Sequence, residues 1–136
     1  MDVALDTDIL ILLSKLKKLD ELVSRYNVYI TIITEYEYVR GEVIAGVDSS
    51  ISKSTLEEAF GILFFDNKSV KVASVIWSEM MKKKEFLDER DLIIGAICIA
   101  NNIPLWTGNI KHFKKLKEYG LNLVTIDTKT WSIKEP

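Results

Sequence analysis

The sequence alternates short apolar runs with segments of helical periodicity, and this alternation limits the folds open to the chain. Five runs rich in apolar and β-branched residues predict strands at residues 3–5, 28–33, 62–65, 104–107 and 121–126. Apolar spacing and capping residues predict helices at residues 9–23, 34–45, 55–59, 69–84, 89–101 and 110–119. Strands and helices that alternate through short connections favour a parallel sheet with helices on both faces. The sequence therefore predicts an α/β fold around a five-stranded, mainly parallel sheet.

Length and charge narrow the possible functions further. With 136 residues, of which 48% are hydrophobic and 28% charged, the chain is predicted to form a single domain spanning residues 1–136. The net charge of −2 gives no global electrostatic reason to bind nucleic acid. Any contact with nucleic acid would need a local basic patch.

Features of targeting and redox chemistry predict a cytoplasmic protein. No apolar stretch reaches the roughly 20 residues that a membrane span needs, so no membrane association is expected. The N-terminus has no basic segment of the kind that opens a signal peptide. The single cysteine, Cys98, lies in an apolar run and is predicted to be a buried, unreactive thiol.

Polar residues stand where predicted strands end or predicted helices begin. Asp6 follows the first strand, Asp91 opens a largely apolar helix, and Asn109 lies in the turn after the fourth strand. Glu37 is placed in the first turn of the helix at residues 34–45. In parallel α/β sheets such ends gather at one edge, where ligands bind. Because clustered carboxylates repel one another, the pattern predicts a divalent metal ion between them.

Helix capping is the alternative interpretation of the same positions. Glu37 would pair with Thr34, and Asp91 with Asp88, as the third helical residue of a capping box. Asn109 would cap the helix at residues 110–119.

Gly41 favours a site over a cap. It lies on the same helical face as Glu37 and costs roughly 1 kcal/mol of helix propensity relative to alanine. The missing side chain leaves room for another group to approach Glu37.

Four segments, in this order along the chain, resemble the motifs of PIN-domain ribonucleases of the VapC toxin type. They are LDTD at residues 5–8, TEYEYVRG at 34–41, DERDLIIGA at 88–96 and TGNIKHF at 107–113. The resemblance implies a three-layer α/β/α sandwich and an endoribonuclease that depends on Mg²⁺ or Mn²⁺ and hydrolyses RNA. It also implies a VapB-like antitoxin as partner, and commonly a homodimer.

The resemblance also assigns roles to individual residues. It implies that the catalytic metal ligands are Asp6, Glu37, Asp91 and, as a neutral fourth partner, Asn109. Thr7 and Thr107 would support these ligands through their hydroxyl groups. Because Asn109 carries no charge, a second metal ion would bind less firmly and would depend on the substrate phosphate.

Several other polar residues near these motifs have more than one possible role. Asp8 would either add charge near the metal or cap the following helix, and Asp88 would support the site as a cap. Arg40 is a candidate for gripping RNA phosphate. His112 and Lys111 are candidate phosphate contacts, with solvent-exposed surface positions as the alternative.

Two other functions fit parts of the sequence. Asp6-Thr7-Asp8 also resembles the motif of haloacid-dehalogenase-type phosphatases, although Ile9-Leu10 replaces the usual Gly-Thr that follows it. A catalytically silent PIN-like binding module would retain the acids only as helix caps. The only histidine is His112, so a histidine-based metal site or a Ser/His/Asp triad is excluded.

Overall fold

A computed structural model describes residues 1–136 and places a six-stranded sheet between helices. The strands are β1 (Asp2–Leu5), β2 (Asn27–Thr31), β3 (Gly61–Leu63), β4 (Leu105–Trp106), β5 (Leu123–Ile126) and β6 (Ile133–Lys134). The α-helices are α1 (Thr7–Lys15), α2 (Leu19–Arg25), α3 (Ile32–Ile44), α4 (Ser49–Ala59), α5 (Asn67–Lys82), α6 (Glu89–Asn101) and α7 (Ile110–Phe113). A 3₁₀ helix, Lys114–Tyr119, continues α7.

The sheet has the strand order β3-β2-β1-β4-β5-β6. Its first five strands are parallel, while β6 pairs antiparallel with β5. The predicted α/β architecture with a mainly parallel sheet is confirmed. The number of strands is different, because the prediction of five missed β6, whose two residues are too few to show a pattern.

Alternate residues of the central strands build two hydrophobic cores. Val3 and Leu5 of β1 pack on one side of the sheet, with residues of α1, α2 and α4. Ala4 points to the other side, where α5, α6 and the 3₁₀ helix supply the core. Both faces of the sheet are therefore covered, as the three-layer α/β/α prediction requires.

The predicted helix at residues 9–23 is in fact two helices. Lys17 adopts a left-handed conformation with φ of 56°, and the Lys18 backbone N–H donates to the Leu13 carbonyl, which ends α1. The Lys18 side chain also donates to the Thr128 carbonyl at 2.9 Å. No glycine marks this break, and the apolar spacing continues across it, so the sequence pattern conceals it.

Helix α3 begins earlier than predicted, at Ile32. Its N-cap is Thr31, whose hydroxyl accepts from the Thr34 backbone N–H at 3.2 Å. The prediction of Thr34 as N-cap is therefore wrong, because β2 ends two residues earlier than its β-branched run suggests. Glu37 then lies beyond the first turn of α3, where it cannot act in a capping box.

Two other helices differ from prediction. The segment predicted as a loop at residues 46–54 belongs largely to α4, which Asp48 caps by accepting from the backbone N–H groups of Ser50 and Ile51. The predicted helix at 110–119 narrows into a 3₁₀ helix after Phe113, and Gly120 ends it with φ of 104°. Helix α6, in contrast, has its predicted bounds and its predicted cap, Asp88.

No helix has the length and apolar character needed to cross a membrane. Cys98 lies inside the core, as predicted, and burial raises the pKa of its thiol to about 12. A thiol with such a pKa is protonated at neutral pH and unreactive.

Candidate active site

Three carboxylates from distant parts of the sequence converge at the carboxyl edge of the sheet. Asp6 directly follows β1, Glu37 comes from the second turn of α3, and Asp91 from the first turn of α6. Only 2% of Asp6 and 4% of Asp91 is exposed, and Glu37 is partly buried. Asp6 also caps α1, since its Oδ1 accepts from the Thr7 backbone N–H at 2.8 Å. The structure therefore brings together the three predicted acidic residues.

The guanidinium of Arg90 lies between these three carboxylates. Its Nη2 is 3.0 Å from Asp6 Oδ1, its Nε is 2.6 Å from Glu37 Oε2, and its Nη1 is 2.6 Å from Asp91 Oδ1. Nη2 also donates to the Thr7 hydroxyl at 3.1 Å. One cation thus joins three acids that would otherwise repel one another.

Two threonine hydroxyls fix the orientation of the carboxylates. Thr7 Oγ1 donates to Glu37 Oε1 at 2.6 Å and lies 3.1 Å from the buried Thr34 hydroxyl. Thr107 Oγ1 donates to Asp6 Oδ2 at 2.8 Å. Both threonines lie where the sequence predicted supporting hydroxyl groups.

Asn109 and His112 stand at the rim of this cluster. The Asn109 backbone N–H donates to Thr107 Oγ1 at 3.0 Å, while its side-chain Nδ2 is 2.9 Å from His112 Nδ1. His112 Nδ1 is in turn 3.4 Å from Asp91 Oδ2. Asn109 occupies the helix N-cap position of α7, but its side chain makes no capping hydrogen bond. The structure therefore places Asn109 beside the acids without directing its amide at them.

Asp8 braces the turn that carries Thr107. Its Oδ2 accepts from the Gly108 backbone N–H at 2.9 Å, and a Cβ at position 108 would lie only 2.5 Å from that oxygen. Burial, and then the nearby Asp6 charge, raise the pKa of the Asp8 carboxyl. The helix cap predicted as one role for Asp8 belongs to Asp6 instead, because α1 already begins at Thr7.

The remaining predicted residues lie outside the carboxylate cluster. Asp88 is exposed and accepts from the Arg90 backbone N–H at 2.9 Å, so it acts as the N-cap of α6. Arg40 is exposed; its Nη2 lies 3.8 Å from Glu37 Oε2, and its guanidinium is stacked 5.1 Å from the centre of the Tyr36 ring. Lys111 is exposed on α7. Arg40 and Lys111 are therefore accessible to a substrate.

Hydrogen bonds explain how Glu37 stays ionised although it is partly buried. Burial alone would raise the pKa of the Glu37 carboxyl, but hydrogen bonds from Arg90 and Thr7 outweigh it and hold that pKa below its usual value. The hydrogen bond to Glu37 is likewise the main reason that the pKa of Arg90 is raised. Three carboxylates and one guanidinium leave two net negative charges at the site.

The chemistry of this donor set fits a hard divalent cation. The groups available are carboxylate, hydroxyl and amide oxygens, which Mg²⁺ and Mn²⁺ prefer. The guanidinium shows that a cation is stabilised at the centre of the three acids. With Arg90 in place, however, no three Asp, Glu, His or Cys side chains come together as a ready metal site.

Arg90 is the site residue that the sequence predictions missed. A cation in the first turn of a helix is disfavoured by the helix dipole, so an arginine directly before Asp91 is an unusual choice. That position is the one signal that could have drawn attention to it. Its partners are up to 84 residues away in sequence, and no local pattern reveals them.

A cavity between α1 and α3 adjoins Glu37. It measures about 310 Å³ and is lined by Ile11, Ser14, Lys15, Glu37, Tyr38, Gly41 and Glu42. No heavy atom lies within 4 Å of a Cβ built on Gly41, so this glycine does leave open space on the face that carries Glu37. The prediction of room beside Glu37 agrees with this geometry.

The proteins similar to this chain are VapC ribonucleases and chains of VapBC complexes. No protein-family model matches the chain. The chain is 35% identical to Ribonuclease VapC1 of Methanocaldococcus jannaschii over 121 residues, covering 89% of this chain and 85% of that protein. Its fold is similar to a chain of VapBC-1 from nontypeable Haemophilus influenzae, with a TM-score of 0.72, 25% identity, and coverage of 90% of this chain and 96% of that chain. It is also similar to a chain of VapBC2 from Rickettsia felis bound to a promoter DNA fragment, with a TM-score of 0.71, 26% identity, and coverage of 93% and 100%.

Proposed function

The chain belongs to the VapC ribonuclease family, and from this membership we propose that it is the toxin endoribonuclease of a toxin–antitoxin pair. The observation that carries the proposal is the convergence of Asp6, Glu37 and Asp91 on one point at the carboxyl edge of the sheet. The substrate is RNA, and the bond broken is the phosphodiester. Water adds its hydroxyl to phosphorus and a proton to the leaving oxygen, which gives a 5′-phosphate and a 3′-hydroxyl.

We further propose that the activity depends on Mg²⁺ or Mn²⁺. Asp6, Glu37 and Asp91 would hold the ion, with Asn109 as a neutral neighbour at the rim. When bound, such an ion supplies Lewis acidity that promotes deprotonation of water and stabilises charge on the phosphate. The all-oxygen donor set supports this choice of metal.

The chain's own residues prepare the site for that chemistry. Thr7 and Thr107 each donate to one carboxylate and so keep its oxygens oriented toward the centre. Arg40, Lys111 and His112 are exposed around the acids, where cationic and hydrogen-bonding groups would grip the RNA backbone. This local positive charge would offset the net negative charge of the chain.

An aspartyl-phosphate mechanism on Asp6 is the alternative enzymatic function. Oδ1 of Asp6 accepts from the Thr7 backbone N–H and from Arg90, and Oδ2 accepts from Thr107. An oxygen of Asp6 would have to be freed for either a metal ion or a phosphoryl group, so these contacts do not separate the two functions. The similarity to Ribonuclease VapC1 supports the nuclease.

A VapB-like antitoxin is the proposed protein partner. An apolar groove of about 580 Å³ runs between α3 and α4, with Ile44 at its edge 88% exposed. Arg40 lines this groove and also lies beside Glu37, so a protein bound in the groove would reach the active site. A homodimer is proposed as well, and exposed apolar side chains such as Phe86 and Trp77 provide candidate contacts.

Replacing Asp6 by asparagine tests the assignment of the site. Asp6→Asn removes one metal-binding charge but retains a good helix N-cap, so the fold should persist. We expect RNA cleavage in Mn²⁺ to fall by on the order of a hundredfold or more. Cleavage is measured on total RNA, with sequencing of the product ends.

Asp48→Asn is the matched control for this experiment. It makes the same change at the exposed N-cap of α4, outside the carboxylate cluster, and should cleave at the wild-type rate. Full activity in Asp6→Asn would refute the site. Absence of cleavage and of metal binding in the wild type would instead favour a silent binding module.

A further inference from the structure

Arg90 takes up the carboxylate oxygens that a metal ion would need. Its guanidinium contacts Asp6 Oδ1, Glu37 Oε2 and Asp91 Oδ1, one oxygen from each acid. These contacts, at 2.6–3.0 Å, are charge-assisted hydrogen bonds at ordinary or short lengths. The three acids thus point at one cation that the chain itself supplies.

The second oxygens of Asp6 and Glu37 are also engaged. Thr107 donates to Asp6 Oδ2, Thr7 donates to Glu37 Oε1, and His112 lies 3.4 Å from Asp91 Oδ2. Because His112 Nδ1 accepts from the Asn109 amide, Asp91 Oδ2 is the one carboxylate oxygen of the three acids that has no hydrogen-bond donor. A divalent ion cannot enter that centre beside the guanidinium, since two cations in direct contact would also repel one another.

The side chain of Arg90 can leave the cluster by rotating toward solvent. Its side chain is 31% exposed, so one side already faces solvent. The backbone of Arg90 is held separately, because its N–H donates to the Asp88 side chain in the first turn of α6. Rotation about the side-chain bonds alone would move the guanidinium into water without disturbing the helix.

We propose that Arg90 is the resident cation of this site, which keeps Asp6, Glu37 and Asp91 together in the metal-free protein and withdraws when a divalent ion binds. Arg90 is in this sense a positioning residue, and it competes with the metal for the same oxygens. The inference rests on the proposed metal-dependent function. It adds that the affinity for the metal is set in part by the cost of displacing Arg90.

Titration of the metal-free protein with Mn²⁺, in the absence of RNA, tests this competition. Calorimetry would compare the wild type with Arg90→Gln, which removes the cation but retains a polar side chain. We expect Arg90→Gln to bind Mn²⁺ about tenfold more tightly or better, because no guanidinium has to leave. Arg90→Lys retains the charge but cannot bridge three acids, so its affinity should be intermediate.

Arg40→Gln is the matched control. It removes the same charge from the same neighbourhood, since Arg40 Nη2 lies 3.8 Å from Glu37 Oε2, but it makes no contact with Asp6 or Asp91. Its affinity for Mn²⁺ should stay within about threefold of the wild type, as expected for an exposed charge pair. A general effect of lost positive charge would instead raise the affinity of both glutamine variants equally.

Thermal unfolding in EDTA provides a second measurement. Arg90→Gln should have a lower Tm than the wild type, because three carboxylates then face one another without a cation. Saturating Mn²⁺ should raise its Tm by more than it raises that of the wild type. If Arg90→Gln is unfolded in EDTA and folds on addition of Mn²⁺, the proposal is also supported.

The failures of the two proposals are distinguishable. Equal or weaker Mn²⁺ binding by Arg90→Gln, with clear binding by the wild type, would overturn the role of Arg90 and leave the nuclease proposal intact. If neither the wild type nor any Arg90 variant binds Mn²⁺, the metal-dependent function fails, and the role of Arg90 fails with it.

Discussion

Glu35 of α3 is a buried titratable residue beside Glu57 of α4. Only 3% of Glu35 is exposed, and its Oε2 is buried without a hydrogen-bond partner. Burial raises the pKa of its carboxyl, and the neighbouring Glu57 carboxylate on α4 raises it further. A buried acceptor without a donor costs about 1–3 kcal/mol. We therefore expect the stability of the contact between α3 and α4 to vary with the protonation of Glu35.

We expect Glu35→Gln to make stability less dependent on pH. Because the pKa of Glu35 is higher in the folded than in the unfolded chain, protonation stabilises the fold. That stabilisation is complete below the unfolded value of 4.5 and is lost as the pH rises through the folded value. Glutamine cannot lose a proton, so the variant should exceed the wild type by about 1 kcal/mol at pH 7–8. The difference should shrink as the pH falls toward 4.5, as measured by urea unfolding.

The control for this prediction is Glu58→Gln, a neighbouring exposed glutamate on α4. Its free energy of unfolding should differ from the wild type by less than about 0.5 kcal/mol at every pH. A stability difference for Glu35→Gln that does not vary with pH would mean that lost charge at Glu35 is not the cause.

At the scale of helices and strands, the sequence predicted those features that are encoded locally. Helix α6 has its predicted bounds because Asp88 caps it and its interior is apolar, two signals that lie within the helix. The break after α1 and the start of α3 were missed, since both occur inside continuous apolar or β-branched patterns. The convergence of Asp6 and Asp91 was predictable because both lie at element ends. The contacts of Arg90 depend on how distant elements pack, so they were not predictable.

Gly41 in α3 and Gly95 in α6 should respond in opposite ways to substitution by alanine. Gly41 of α3 is exposed, and a Cβ there would meet no heavy atom within 4 Å. We expect Gly41→Ala to raise the free energy of unfolding by about 0.5–1 kcal/mol, because alanine favours the helix. Chemical denaturation with an unchanged m-value would measure this gain.

Gly95 of α6 provides the contrast. A Cβ there would lie 2.2 Å from Leu116 Cδ1 in the core, so the same gain in helix propensity is opposed by a clash. Gly95→Ala should therefore destabilise the protein by about 1–3 kcal/mol. If Gly41→Ala is destabilising as well, the open space beside Glu37 is not present in solution.

At the scale of the whole molecule, the active site and the apolar groove form one continuous surface. The carboxyl edge of the sheet holds the acids, and α3 connects them to the groove through Glu37 and Arg40. Ile44, at the far end of α3, is 88% exposed and belongs to the apolar lining of the groove. If the proposed function is right, a protein that covers the groove would also control access of RNA to the carboxylates.

Charging the groove should separate antitoxin binding from catalysis. Ile44→Asp places a carboxylate at the exposed edge of the groove and should leave the fold and RNA cleavage unchanged. The affinity for the proposed VapB-like antitoxin should fall by about thirtyfold or more, because binding would bury the new carboxylate without a partner. Val75→Asp on α5, where Val75 is 58% exposed, is the matched control and should bind normally. If Val75→Asp loses the antitoxin and Ile44→Asp retains it, the antitoxin binds on the α5 side of the sheet. In that case the antitoxin should still inhibit RNA cleavage by Ile44→Asp, because it would not bind through the groove.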